Sequence, residues 1–190
     1  DADGAGRSVP EVHLKVYTID DIPLAPMAVA DVHAQNIVIV KETINSRAAE
    51  RIARTLAAEW DQSAYTARRI LTGKQVRTSP ILHTLSMSVE IGAILRKAKN
   101  PINAVLEKTS GFKLFEGIVD SVKRETMAGF TWTEATLNGI RENEGSKLRF
   151  KAKNEVLVAY KNEKLVALAP DIITSVHPET GKCITAEKIK

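Results

Sequence analysis

With 190 residues, 44% hydrophobic and 26% charged, the chain can bury the core of one domain or two small ones and reads as a soluble globular protein. No apolar run approaches the roughly 18 residues of a membrane span and no secretory signal opens the chain, so no membrane partner is expected. The formal charge of +4 comes from 27 Lys and Arg scattered among 23 acids, with aromatics at only 5%, which argues against a nucleic-acid partner; a single Cys, Cys183, excludes an intrachain disulfide and a multi-cysteine metal site and fits the cytoplasm.

The chain opens on Asp-Ala-Asp-Gly-Ala-Gly-Arg-Ser-Val-Pro-Glu with no initiator Met, and is expected to begin inside a larger fold. Glycines allow close backbone approach, Asp-Gly favours a tight turn, and Arg7 offers a fork of donors. The segment is either a binding loop or an ordinary glycine turn leading into a strand. Val12, Leu14 and Val16 then alternate with His13, Lys15 and Tyr17, which predicts a half-buried strand ending near Asp20. Residues 27–30 and 37–40 are apolar runs around residues 31–36, a predicted hairpin with His33 at its tip.

Asn45 or Ser46 is positioned to cap a helix through Trp60, with Ala49, Ile52, Ala53, Leu56 and Trp60 on one face. A strand is predicted over residues 63–71, ended by Thr72-Gly73. A helix capped by Thr84 follows, and Asn100-Pro101 starts a shorter one that Gly111 ends. Beyond it the character changes. Residues 112–122, 130–137, 147–153, 156–160, 165–169 and 172–176 are short apolar or alternating runs separated by turn residues, which predicts an all-β unit of hairpins. The densest basic cluster, Lys147 to Lys153, alternates charged with apolar residues and is read as a strand with one solvated face. The domains expected are 1–111 and 112–190, a partial α/β domain followed by an all-β domain.

The β half carries a resemblance. Gly117, Asp120 and Val122, Gly129-Phe130-Thr131, the Asn154 to Ala159 run, Pro170-Asp171-Ile172-Ile173, and Glu179-Thr180-Gly181 with Ile184 to Glu187 are similar to the C-terminal domain of the S-methyl-thiohydantoin desulfurase family. The opening resembles that family's acidic, glycine-rich signature ending Gly-Arg-Ala-x-Pro-Glu, with Ser8 where Ala is usual. The resemblance covers nearly the whole chain. It implies a partial α/β domain joined to a swivelling-type β domain, an N-terminal α/β segment ahead of the signature, and one further strand after Lys190.

The activity implied is hydrolysis of an S-methyl thiohydantoin or related hydantoin-type ring, in which water adds to the ring carbon and methanethiol leaves. Such chemistry needs an activated water and donors for developing charge. Asp1, Asp3, Glu11 and His13 are the candidate acids and bases, while Arg7, the Gly4 and Gly6 amides and His83 are candidate contacts to a small heterocyclic substrate. Asp1, Asp3 and His13 are alternatively ligands for a divalent metal, although no spacing matches a known zinc pattern. His33 and His177 read as turn residues and Cys183 as a packed or incidental thiol; Asn154, Glu155 and Asp171 serve either folding or chemistry. The N-terminal half, as a separate chain, or a second copy is the expected protein partner. The rival reading is a catalytically inactive binding or regulatory module on the same fold.

Overall fold

The computed structural model describes residues 1–5, 11–127 and 130–190, and the chain divides into two compact units, Asp1–Thr84 and Leu85–Lys190. Helices and sheets are mixed throughout, with one large antiparallel sheet. No helix among the described residues is long and apolar enough to cross a membrane.

In the first unit, β1 (Ala2–Asp3) pairs with β5 (Ile81–Leu82). A three-stranded antiparallel sheet is built from β2 (Met27–Ala30) flanked by β3 (Ile37–Val40) and β4 (Tyr65–Ala67). The β2–β3 hairpin is the one its apolar runs predict. Its turn is organised by buried Asp31, whose carboxylate accepts from the backbone N–H groups of His33, Gln35 and Asn36 and from the Asn36 side chain. Helix α1 (Ser46–Glu59) follows, and the Asn45 carboxamide accepts from the Ala48 amide at 2.9 Å, as an N-cap should. Ala49 is buried with Leu24, Met27 and Val29, and Ala53, Leu56 and Trp60 pack at the edge of that cluster. Ile52, expected on the same face, is exposed, and the polar Glu50 is buried instead. The predicted strand over residues 63–71 shortens to β4, and Thr72 opens helix α2 (Gly73–Thr78) through a reciprocal capping box with Gln75.

The second unit begins with α3 (Thr84–Lys97) and α4 (Pro101–Thr109), the latter capped by Asn100 with Pro at its first position. The Gly111 amide donates to the Leu106 carbonyl after a left-handed Ser110, which closes the helix. Five antiparallel strands then run in sequence order as a meander: β6 (Gly117–Met127), β7 (Phe130–Gly139), β8 (Lys147–Lys153), β9 (Glu155–Lys161) and β10 (Lys164–Ile173). Strand β10 merges two of the predicted runs, and the second ends in a small ribbon of β11 (Ser175–Val176) with β12 (Cys183–Ile184).

Alternation along β8 buries Leu148, Phe150 and Ala152 and leaves Lys147 and Lys151 in solvent. Arg149 and Lys151 pair with Glu134, and Arg149 also with Glu163, so the basic cluster is a solvated, ion-paired face. The buried side of the sheet is lined by small residues at Ala135, Ala152 and Ala159, over which Ala186 and Ile189 pack. Arg124 holds that tail by donating to the Ala186 and Ile189 carbonyls at 3.1 and 2.9 Å.

Two asparagines carry the ladders round their corners. Asn154, with φ 61°, donates its amide to the Thr131 carbonyl and accepts the Thr131 amide on its side-chain oxygen, both at 2.8 Å. Asn162, with φ 47°, does the same with Lys147 at 2.9 and 2.8 Å. In each the carboxamide replaces a main-chain carbonyl that the turn has pointed away, and Asn tolerates the left-handed conformation this requires.

Candidate functional site

Residues 11–20 do not form the strand that their alternation predicts. Val12–Leu14 and Val16–Thr18 are single 3-10 turns instead. The reason lies in what competes for their backbone groups. The Val12 amide donates to Glu50 Oε2 at 2.8 Å, the Val12 carbonyl accepts from Arg69 at 3.3 Å, and the Val16 amide donates to the Gly4 carbonyl at 2.9 Å. Side chains from α1 and from the segment after β4 thus take the place of a neighbouring strand.

The same contacts assemble a polar chain. His13 Nε2 lies 3.2 Å from Glu11 Oε2 and His13 Nδ1 lies 3.3 Å from Glu50 Oε2. Glu50 is only 7% exposed, and its second oxygen accepts from Arg54 Nε and an Arg54 terminal nitrogen at 3.0 and 2.9 Å. Arg54 sits one turn after Glu50 on α1, the spacing at which helical side chains meet. A buried carboxylate is tolerated because both its oxygens are satisfied.

Arg69 bolts the segment from the other side. Buried and held at φ 58°, it donates to the Ile22 carbonyl at 2.6 Å and to Thr18 Oγ1 at 2.9 Å, and its guanidinium lies 5.3 Å from the centre of the Tyr17 ring. Its Nε is buried without a hydrogen-bond partner. Burial pulls the Arg69 guanidinium below its ordinary value and the neighbouring Arg68 charge adds to this, against the pull of Tyr17. Burial lowers Arg68 likewise, opposed by Glu50. Gly4 is where this packing is tightest, since a Cβ there would lie 2.0 Å from the Tyr17 ring.

Next to this cluster is an open pocket of about 750 Å3, lined by His13, Thr18, residues 41–44 with Lys41 and Glu42, the α1 N-cap Asn45 and the first helical residues Ser46 and Arg47, with residues 21–25 including Asp21 on its other walls. The amides of a helix's first turn have no intrahelical acceptor, so this end of α1 favours negative charge. Lys41 and Arg47 add to that, and the carboxylates of Asp21 and Glu42 on the same lining oppose it. The arrangement offers a doubly partnered imidazole beside a cavity lined by charged groups of both signs.

The structure brings together Glu11 and His13, and separately Asp1 and His83, through a 2.8 Å bond from the His83 amide to the Asp1 carbonyl. Asp3 accepts the Ala5 amide on its side chain at 2.6 Å, a local turn, and His83 is exposed with φ 62°. Gly6 and Arg7 lie outside the described residues. No group of three or more His, Cys, Asp or Glu among the described residues is placed to hold a metal, so the metal set of Asp1, Asp3 and His13 has no counterpart there. Glu50, Arg54 and Arg69 join the cluster without being among the candidates that residue type and motif single out. The Glu50–Arg54 spacing was a usable signal; nothing local marked Arg69.

Elsewhere, His33 and His177 are turn residues, the latter accepting the Glu179 amide on Nδ1. Asn154 is accounted for by its ladder bonds. Cys183, expected to be packed or incidental, is exposed in β12 and so is not packed.

Residues 44–190 match the family described as S-Me-THD-like, C-terminal domain. A crystal structure of a protein from Chromobacterium violaceum shares the fold with a TM-score of 0.74 at 19% identity, over 98% of this chain and 51% of that one. The chain therefore spans about half the length of that solved relative. No curated protein matches.

Proposed function

Because the chain belongs to the S-Me-THD-like family, matched through its C-terminal domain, we propose that it is part of a cytoplasmic hydrolase acting on an S-methyl thiohydantoin or a related hydantoin-type ring. Water adds to the ring carbon bearing the S-methyl group, and the tetrahedral adduct expels methanethiolate, which leaves as methanethiol after taking a proton. The product is the hydantoin carbonyl. The family match over residues 44–190 carries the substrate class, and the pocket beside His13 supplies a place for the chemistry.

In this reading His13 and Glu11 move the proton of the attacking water, and Glu50 is a positioning residue that fixes the imidazole. The end of α1, Lys41 and Arg47 stabilise the charge that builds on the ring. Asp1, Asp3 and the Gly4 amide contribute from the opening segment, and a swivelling-type β domain is the role assigned to residues 112–190. The remainder of the site comes from an N-terminal half, since the similar solved chain is about twice as long.

One observation favours the rival reading of a binding or regulatory module. Both ring nitrogens of His13 already face carboxylates, so a water or substrate reaches a ring nitrogen only when one contact opens. Turnover decides between the two. The assay is methanethiol release from S-methyl thiohydantoin by the chain together with the polypeptide encoded directly ahead of Asp1. The hydrolase reading expects release that His13→Gln and Asp3→Asn each lower by about 100-fold or more, the scale of a lost general acid or base. Ligand binding without release, weakened by the same variants, establishes the module instead.

A further inference from the structure

The three-stranded sheet of the first unit has two faces of different character. Strand register places Val40 beside Met27, and Val38 beside Val29 and Thr66, on the side that meets the Leu24, Met27, Val29 and Ala49 cluster. On the opposite side Ala28 sits between Ile39 and Ala67, and Ala30 between Ile37 and Tyr65. There Ile37 is 59% exposed, Ile39 67% and Tyr65 67%. Small residues fill the central strand and large apolar ones the flanks, which makes a shallow apolar trough. No other described element of the first unit covers it.

A sheet needs a layer on each apolar face, and scattered surface hydrophobics do not line up in register across three strands. The solved chain that shares this fold carries as much polypeptide again beyond the part this chain covers, and the family matched over residues 44–190 is described as a C-terminal domain. We infer that the trough formed by Ile37, Ile39, Tyr65 and the alanines between them is the docking surface for the N-terminal half of the protein, through an apolar surface of that half. This rests on the proposed function only for the existence of that half, and not for its chemistry.

The test is thiol labelling in a Cys183→Ser background, with Ile39→Cys and Tyr65→Cys introduced singly at positions whose exposure makes them tolerant of change. Each variant is labelled alone at several concentrations, and then with the polypeptide encoded directly ahead of Asp1, fused or separate. The expected result is fast labelling at every concentration alone and at least tenfold slower labelling with the N-terminal polypeptide. Unchanged labelling in a complex that forms by size overturns the inference, and so does protection that grows with the concentration of the chain alone, which assigns the trough to a second copy. Methanethiol release measured on the same samples separates the two claims. Release without protection leaves the hydrolase and removes the docking surface; protection without release does the reverse.

Discussion

Glu50 Oε2 receives both the Val12 amide at 2.8 Å and His13 Nδ1 at 3.3 Å, so one buried carboxylate fixes the backbone of the segment after the opening loop and the orientation of its histidine together. Removing it leaves the half-buried Val12 amide and the Arg54 guanidinium without that acceptor. Glu50→Ala is expected to cost about 1–3 kcal/mol of stability, the scale of leaving part-buried donors without their acceptor. Glu50→Gln, which keeps an acceptor oxygen, should cost less than half of that. Denaturant titration of the two variants against the parent chain gives the ranking.

The corner asparagines predict a graded series. Asn154→Ala removes the acceptor for the Thr131 amide and forces alanine into a left-handed conformation, for a loss of about 1–2 kcal/mol. Asn154→Gly relieves the backbone but not the acceptor, and Asn154→Asp retains the acceptor, so Asp should be the mildest of the three. Asn162 should repeat the order against Lys147. Thermal melts of the six variants test it.

Gly139 sits where β7 turns toward β8, and a Cβ there would lie 1.8 Å from the Asn143 carbonyl oxygen. Because that neighbour is backbone, relief requires the turn itself to move, and Gly139→Ala should destabilise by about 2–3 kcal/mol. At Gly73, the first residue of α2, nothing lies within 4 Å of an added Cβ. Gly73→Ala is expected to be neutral or slightly stabilising. The difference between the two melting temperatures is the measurement.

Burial pushes the Asp31 carboxyl up, but the hydrogen bonds from Asn36, Gln35 and His33 outweigh it and hold the group below its ordinary value. A carboxylate depressed on folding contributes stability that is complete above its unfolded value near pH 4 and is lost as pH falls through the folded one. Asp31→Asn should therefore be less stable than the parent at pH 7, with the gap closing as the pH falls below about 4. Unfolding curves from pH 7 to pH 2 read this directly. A gap that widens on acidification contradicts the hydrogen-bonded carboxylate.

Much of this architecture is legible in the residues because local rules and packing agree. The hairpin of Met27 and Val40, the Asn45-capped helix, the Asn100-Pro101 helix start and the alternation of Leu148, Phe150 and Ala152 each carry a signal that the fold obeys. Residues 11–20 fail for a physical reason. Val12, Leu14 and Val16 alternate as a strand does, but strand pairing is decided by what offers hydrogen bonds, and Glu50 and Arg69, distant in sequence, offer them first. Burial of Glu50 in place of Ile52 follows from the same contacts, since a helix face chosen by hydrophobicity cannot anticipate a partnered charge. Within the candidate site, residue type and position alone single out Glu11 and His13 as candidates, whereas the contacts from Glu50, Arg54 and Arg69 need the fold.

The central claim is that water is added at the ring carbon of an S-methyl thiohydantoin-type substrate. The direct measurement is the reaction of the chain with the polypeptide encoded ahead of it, in 18O-labelled water, followed by mass spectrometry of the products. The account predicts methanethiol and hydantoin in equal amounts, with one 18O atom in the hydantoin carbonyl, and about 100-fold or more less of both with His13→Gln. Unlabelled hydantoin, a ring-opened product that retains the S-methyl group, or binding with no turnover at all would contradict it.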